Sequence, residues 1–222
     1  MAHDESFFRE VREDLRNERF KQLWNRFGIY LIAALVVLIL AIGAYVGYRY
    51  WSERQSAQSG DAFAAALSVI DDGKTDQALG DLDKLADTGY GDYPALARLR
   101  AAGLMAENGK TDDALKAFKA VANDDDVPQA IRDVARVRGG LILVDHGTYG
   151  DAADMVQTLT GDDDPFRNSA REILGLSAWK AGDMKQARTW FEKITSDNQA
   201  ERGVVQQAQM MLDLIDANTK PA

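Results

Sequence analysis

An uncharged run from Phe27 to Tyr48 constrains this chain more than any other feature. It reads FGIYLIAALVVLILAIGAYVGY, bracketed by Arg26 and Arg49. At about 1.5 Å of rise per residue, a helix of that length crosses a hydrocarbon core of roughly 30 Å. A cleaved secretory signal would have a shorter apolar core closer to the N-terminus, and no A-x-A-like cleavage site follows here. A core helix of a small soluble domain would carry a polar face, and this run has none. The pattern predicts a retained span over residues 27–51. Residues 1–26 lie on one side of it and residues 52–222 on the other.

Orientation follows from Lys and Arg near the span. Arg12, Arg16, Arg19, Lys21 and Arg26 precede it, whereas only Arg49 and Arg54 follow closely. That excess places the N-terminus in the cytoplasm. Trp24, Tyr45, Tyr48, Tyr50 and Trp51 lie near the span ends, where amphipathic rings suit the headgroup layer. Gly43 and Gly47 match the small-xxx-small spacing that lets membrane helices approach closely. They read either as ordinary span glycines or as a contact face for another membrane protein or a second copy. Within residues 1–26, Phe7, Phe8, Val11 and Leu15 recur at helical spacing, which predicts an amphipathic cytoplasmic helix.

The part beyond the span is acidic. The whole chain holds 26 basic and 35 acidic residues. Residues 1–51 take seven and six of them, leaving 26 − 7 = 19 basic and 35 − 6 = 29 acidic, a net of −10. Such a surface argues against nucleic acid, whose binding depends on Lys and Arg neutralising phosphates. It also argues against the domain lying flat on anionic lipid. There is no Cys, which excludes disulfides, thiolate metal sites and lipidated cysteines.

This outer region repeats itself. Gly73-Lys-Thr-Asp-Gln-Ala78, Gly109-Lys-Thr-Asp-Asp-Ala114, Gly147-Thr-Tyr-Gly-Asp-Ala152 and Gly182-Asp-Met-Lys-Gln-Ala187 carry the same punctuation, with the glycines 36, 38 and 35 residues apart. Each Gly is expected to end one helix in the left-handed conformation. Thr75 and Thr111 are expected to cap the next. Four residues after each Ala stands Leu82, Phe118, Val156 or Phe191, and seven after stands Leu85, Val121, Leu159 or Ile194. Those positions share one helical face. Seven residues before each Gly stands Ala66, Ala102, Gly140 or Gly175, small enough for a paired helix to pack closely. This is an all-α helix–turn–helix array. Pairs are expected at 61–87, 93–122, 128–160 and 165–196, with a capping helix over 200–218.

The small residue, the Gly seven later, the Ala five after that and the large apolar residue four further on resemble the tetratricopeptide repeat. The usual early Trp position holds Ala62, Arg98, Arg136 and Arg171, and the closing Pro is absent at Tyr90 and Asp126 and one residue late at Pro165. The repeats are therefore degenerate. The whole layout is similar to the YfgM-like family: a short charged lead-in, one span, and about four degenerate repeats with an acidic surface. That resemblance implies an ancillary subunit of the bacterial Sec translocon with a periplasmic repeat domain.

Catalytic, cofactor and metal sites are not indicated. Gly73-Lys74-Thr75 and Gly109-Lys110-Thr111 mimic the end of a P-loop but lack its earlier Gly, since Ser68 and Leu104 stand there. His3 and His146 are isolated, and the Asp runs at 124–126 and 162–164 lack the calcium-loop pattern. The tetratricopeptide resemblance implies a concave groove lined by Phe63, Leu99 and Val137, by Leu67, Leu141 and Leu176, and by Ile70, Ala106, Val144 and Trp179. These residues either pack against neighbouring helices, the terminal one included, or receive an amphipathic segment of a partner or unfolded client. Arg98, Arg136 and Arg171 are expected to pair with acidic residues.

The expected function is that of a non-enzymatic inner-membrane adaptor, without cofactor, joining Sec translocon subunits to periplasmic chaperones or emerging clients. Alternatives are a scaffold for cell division or outer-membrane assembly, or a stress-response regulator.

Overall fold

The computed structural model describes the backbone of residues 3–219 and the side chains of residues 25–217. Among the described residues all regular structure is helical: α1 (His3–Asp71), α2 (Thr75–Thr88), α3 (Tyr93–Glu107), α4 (Thr111–Ala122), α5 (Gln129–His146), α6 (Tyr149–Val156), α7 (Arg167–Lys180), α8 (Met184–Thr195) and α9 (Arg202–Thr219). A 3-10 turn, Gln157–Leu159, follows α6. The chain divides into two compact units, Met1–Gln55 and Ser56–Ala222.

The first unit is the larger part of α1. It contains an apolar window of mean hydropathy 2.8, and no part of that window is buried inside the protein. A soluble core helix would be covered; this one has the length and composition of a single membrane span. A Cβ built on Gly43 or Gly47 meets nothing within 4 Å, so that face is open. The side chains of Phe7, Phe8, Val11 and Leu15, expected to form an apolar face, lie outside the described residues.

The second unit is the solenoid that the repeat pattern predicts. Gly73, Gly109 and Gly182 adopt φ of +76°, +75° and +82°, as a helix-ending Gly should. Gly147 departs from this. Its φ is −118°, and a Cβ there would lie 2.6 Å from Leu143 Cδ2. Close approach, not handedness, requires glycine at that position.

The expected caps also differ. Lys74 and Lys110 hold the cap positions, and Thr75 and Thr111 are the first helical residues. One residue serves both helices. The Lys74 amide donates back to Val69 O at 3.1 Å, while its carbonyl accepts from Ala78 N at 3.0 Å. Lys110 does the same with Met105 and Ala114. Where that position holds Asp183, its carboxylate accepts from the Gln186 amide at 2.9 Å. Thr148 forms a reciprocal capping box with Asp151 at the start of α6.

Small residues set the distance within each pair. Ala66 and Ala102 are buried. A Cβ on Gly140 would come within 2.7 Å of Val156 Cγ1, and one on Gly175 within 2.9 Å of Phe191 Cζ. The core runs along the array in sequence. Ala66, Leu82, Leu85 and Leu104 form its first part. Phe118, Val121, Val156 and Ile173 form the middle. Phe191, Ile194, Leu212 and Ile215 form the last. Such a core is built from neighbour contacts alone. The odd-numbered helices α3, α5 and α7 also pack on one another in series, which makes theirs the tighter, inner layer.

Candidate partner-binding groove

Each inner helix has three faces, and α7 displays them clearly. Ala170, Ile173 and Leu174 are buried in the middle core cluster, and Ser177 is buried as well. Gly175 and Ala178 face α8, against Phe191 and its neighbours. Glu172, Leu176 and Trp179 occupy the third face at i, i+4 and i+7.

The sequence-predicted groove residues divide along this layer. Phe63 and Ile70 pack against the first core cluster, and the Phe63 ring lies 6.2 Å from that of Tyr93. Leu99, Ala106, Val137 and Val144 rest on the middle cluster, and Leu176 on the last. All of these, and Leu67, are half-buried. Leu141 and Trp179 instead remain open, at 50% and 37% exposure.

Helix α9 follows the register of α7. Its core-facing set, buried Ala208, Leu212 and Ile215 with half-buried Val204 and Met211, repeats the spacing of Phe166, Ala170, Ile173, Leu174 and Ser177 at the cap and along α7. The same register puts Met210 and Leu214 in the places of Glu172 and Leu176. They are 60% and 51% exposed. The terminal helix thus packs on α8 with one face and leaves Met210 and Leu214 exposed on another. Sequence reasoning missed both residues, because α9 lacks the Gly–Ala punctuation that marks register elsewhere. Their i, i+4 spacing on the side opposite Leu212 was the available signal.

One charge lies in this apolar row. Burial raises the Glu172 carboxyl above the usual glutamate range. No hydrogen bond or ion pair to it occurs among the described residues. Neighbouring cations are engaged elsewhere. Lys180 Nζ donates to the Val144 carbonyl at 3.0 Å and to that of Asp145, at the C-terminal end of α5.

The recurrent arginines tie the array together. Arg98 Nη1 lies 2.8 Å from Asp124 Oδ2. Arg136 bonds Asp133 at 2.7 Å and the Ala122 carbonyl at 2.8 Å. Buried Arg171 donates to the carbonyls of Thr160 and Lys193 and to Asp162. Two of them thereby satisfy carbonyls at the ends of outer helices, where cations are favoured. Arg167 pairs with Asp197 at 2.6 Å and holds that carboxyl far below the usual aspartate range. The Asp runs at 124–126 and 162–164 thus supply partners for arginines. Among the described residues no group of three or more His, Asp or Glu is placed to hold a metal ion.

Comparison with known proteins agrees with this architecture. A family model described as "Tetratricopeptide repeat-like domain" matches residues 21–217. The chain is also 26% identical over 170 residues to the "Ancillary SecYEG translocon subunit" of Escherichia coli (strain K12), covering 74% of this chain and 80% of that protein.

Proposed function

The chain belongs to the tetratricopeptide repeat-like family, and from that premise we propose that it is a membrane-anchored, non-enzymatic adaptor working beside the Sec translocon. The observation that carries this reading is the similarity to the ancillary translocon subunit, which extends over most of both chains. The apolar helix supplies the anchor. The Lys and Arg excess before it favours a cytoplasmic N-terminus and a periplasmic repeat domain in a bacterial inner membrane. Gly43 and Gly47, open on the span, supply a contact face for a second membrane helix. The groove formed by Leu141, Leu176, Trp179, Met210 and Leu214 receives apolar segments of periplasmic chaperones or emerging clients. Stacked repeats of this kind build extended binding surfaces.

The test is purification of the full chain from native membranes in mild detergent, followed by mass spectrometry. Enrichment of translocon subunits, lost when residues 1–51 are replaced by an unrelated anchor, is the expected result. Recovery of division or outer-membrane-assembly proteins in their place would reject the translocon assignment. Replacing Gly43 and Gly47 with Leu should abolish recovery of the membrane partner while insertion persists. Unchanged recovery would remove the glycine face from the proposal.

A further inference from the structure

We infer that the C-terminal half of the groove selects an amphipathic helix bearing a lysine or arginine within its apolar face, and that Glu172 is the residue that selects it. The inference rests on the reading of this groove as a partner site and adds the chemistry of its occupant. Outside the span, the exposed large apolar side chains among the described residues are Leu141, Trp179, Met210 and Leu214. Leu141 and Trp179 fall on the third face of α5 and α7, and Met210 and Leu214 take the corresponding register positions on α9. Glu172 shares that face of α7, one turn before Leu176 and two before Trp179.

A half-buried carboxylate without a partner is costly, and an incoming cation would relieve the cost. None is supplied among the described residues. Arg171, next in sequence, is turned to Thr160, Asp162 and Lys193. Lys180 is turned to the end of α5. Arg138 reaches back to α3, its Nη1 3.6 Å from where a Cβ on Gly103 would lie. Burial, which raises the Glu172 carboxyl, points the same way. The acidic domain adds long-range attraction for a basic partner. A helical occupant follows from the walls. They are helices whose backbone groups are already bonded, so an extended segment would bury amides with no acceptor. A helix brings its own hydrogen bonds and offers anchors at i, i+3, i+4 and i+7.

The experiment uses the full chain in lipid nanodiscs and three fluorescein-labelled synthetic amphipathic helices. They share a Leu/Ala face and differ only in its central residue: Lys, Gln or Glu. Binding is read by anisotropy. Wild type should bind the Lys peptide about tenfold more tightly than the Gln peptide, a typical gain for a close charge pair. Glu172→Gln should erase that ratio, and Glu172→Lys should make the Glu peptide preferred. Leu141→Ser with Leu214→Ser should weaken all three peptides while the helical circular dichroism is unchanged. Equal binding of the Lys and Gln peptides to wild type, or a ratio that survives Glu172→Gln, would overturn the inference and leave the groove standing as a partner site. Failure of all three peptides to bind would overturn the inference and the groove reading together.

Discussion

At the scale of single residues, the clearest constraints are missing side chains. Gly175 is the floor on which the Phe191 ring lies, with three ring carbons at 2.9, 3.0 and 3.1 Å from a built Cβ. Phe191 is itself 1% exposed and has no room to retreat. Gly175→Val should therefore cost about 1–3 kcal/mol by overpacking, read as a lower urea midpoint with an unchanged slope. Glu172→Gln should act in the opposite direction. Burial raises that carboxyl in the folded protein, so ionisation opposes folding at neutral pH. The neutral variant should melt higher at pH 7. The advantage should shrink as pH falls through the raised folded pKa and vanish below the unfolded value of about 4.3, where both forms are uncharged. An equal melting difference at every pH would mean that the side chain's shape, not its charge, matters.

Among the elements, α9 carries the strongest contrast. Ile215 is fully buried against α8, while its neighbour Leu214 is 51% exposed. Ile215→Ala should cost about 2–5 kcal/mol of stability, and Leu214→Ala no more than about 0.5 kcal/mol. Urea unfolding of the two variants tests the register that puts Leu214 in the groove. If Leu214→Ala proved the costlier, α9 would have to be rotated and the groove would end at α7. The start of α7 is held differently, by Arg167 bridging to Asp197 in the loop after α8, with Asn168 adding a bond at 3.0 Å. Asp197 is depressed chiefly by the Arg167 hydrogen bond. Its contribution is complete above the unfolded aspartate value of about 3.9 and is lost as pH falls towards the depressed folded value. Wild type should lose melting temperature through that acid range more steeply than Asp197→Asn. Parallel curves for the two proteins would show that the bridge adds nothing.

Over the whole molecule, the all-α solenoid was legible because its period is written in residues that geometry requires. Glycines at 73, 109 and 182 have to be left-handed, and the small residues at 66, 102, 140 and 175 have to admit a neighbour. Less legible was anything decided by depth. Leu99 and Leu141 both belong to the predicted groove, yet one leans on the core and the other is half exposed. That difference comes from how successive pairs stack, which a periodic pattern does not encode. The threonine caps failed for a related reason: the tight Gly–Lys turn makes one residue close one helix and open the next. Membrane orientation belongs to this scale too, because it depends on charges spread over both flanks of the span. Arg12, Arg16, Arg19, Lys21 and Arg26 oppose only Arg49 and Arg54. A long outer domain translocates largely regardless of its own charge, so its acidity does not resist the N-in arrangement. Protease added to spheroplasts should digest residues 52–222 and spare an N-terminal tag. Substituting Gln at those five N-terminal positions leaves only Arg9 before the span and reverses the Lys/Arg excess to two against one. It should leave a large fraction of chains with the tag exposed and the repeat domain protected. Complete digestion of the repeat domain in that variant would show that the flanking charges do not set the direction of the span.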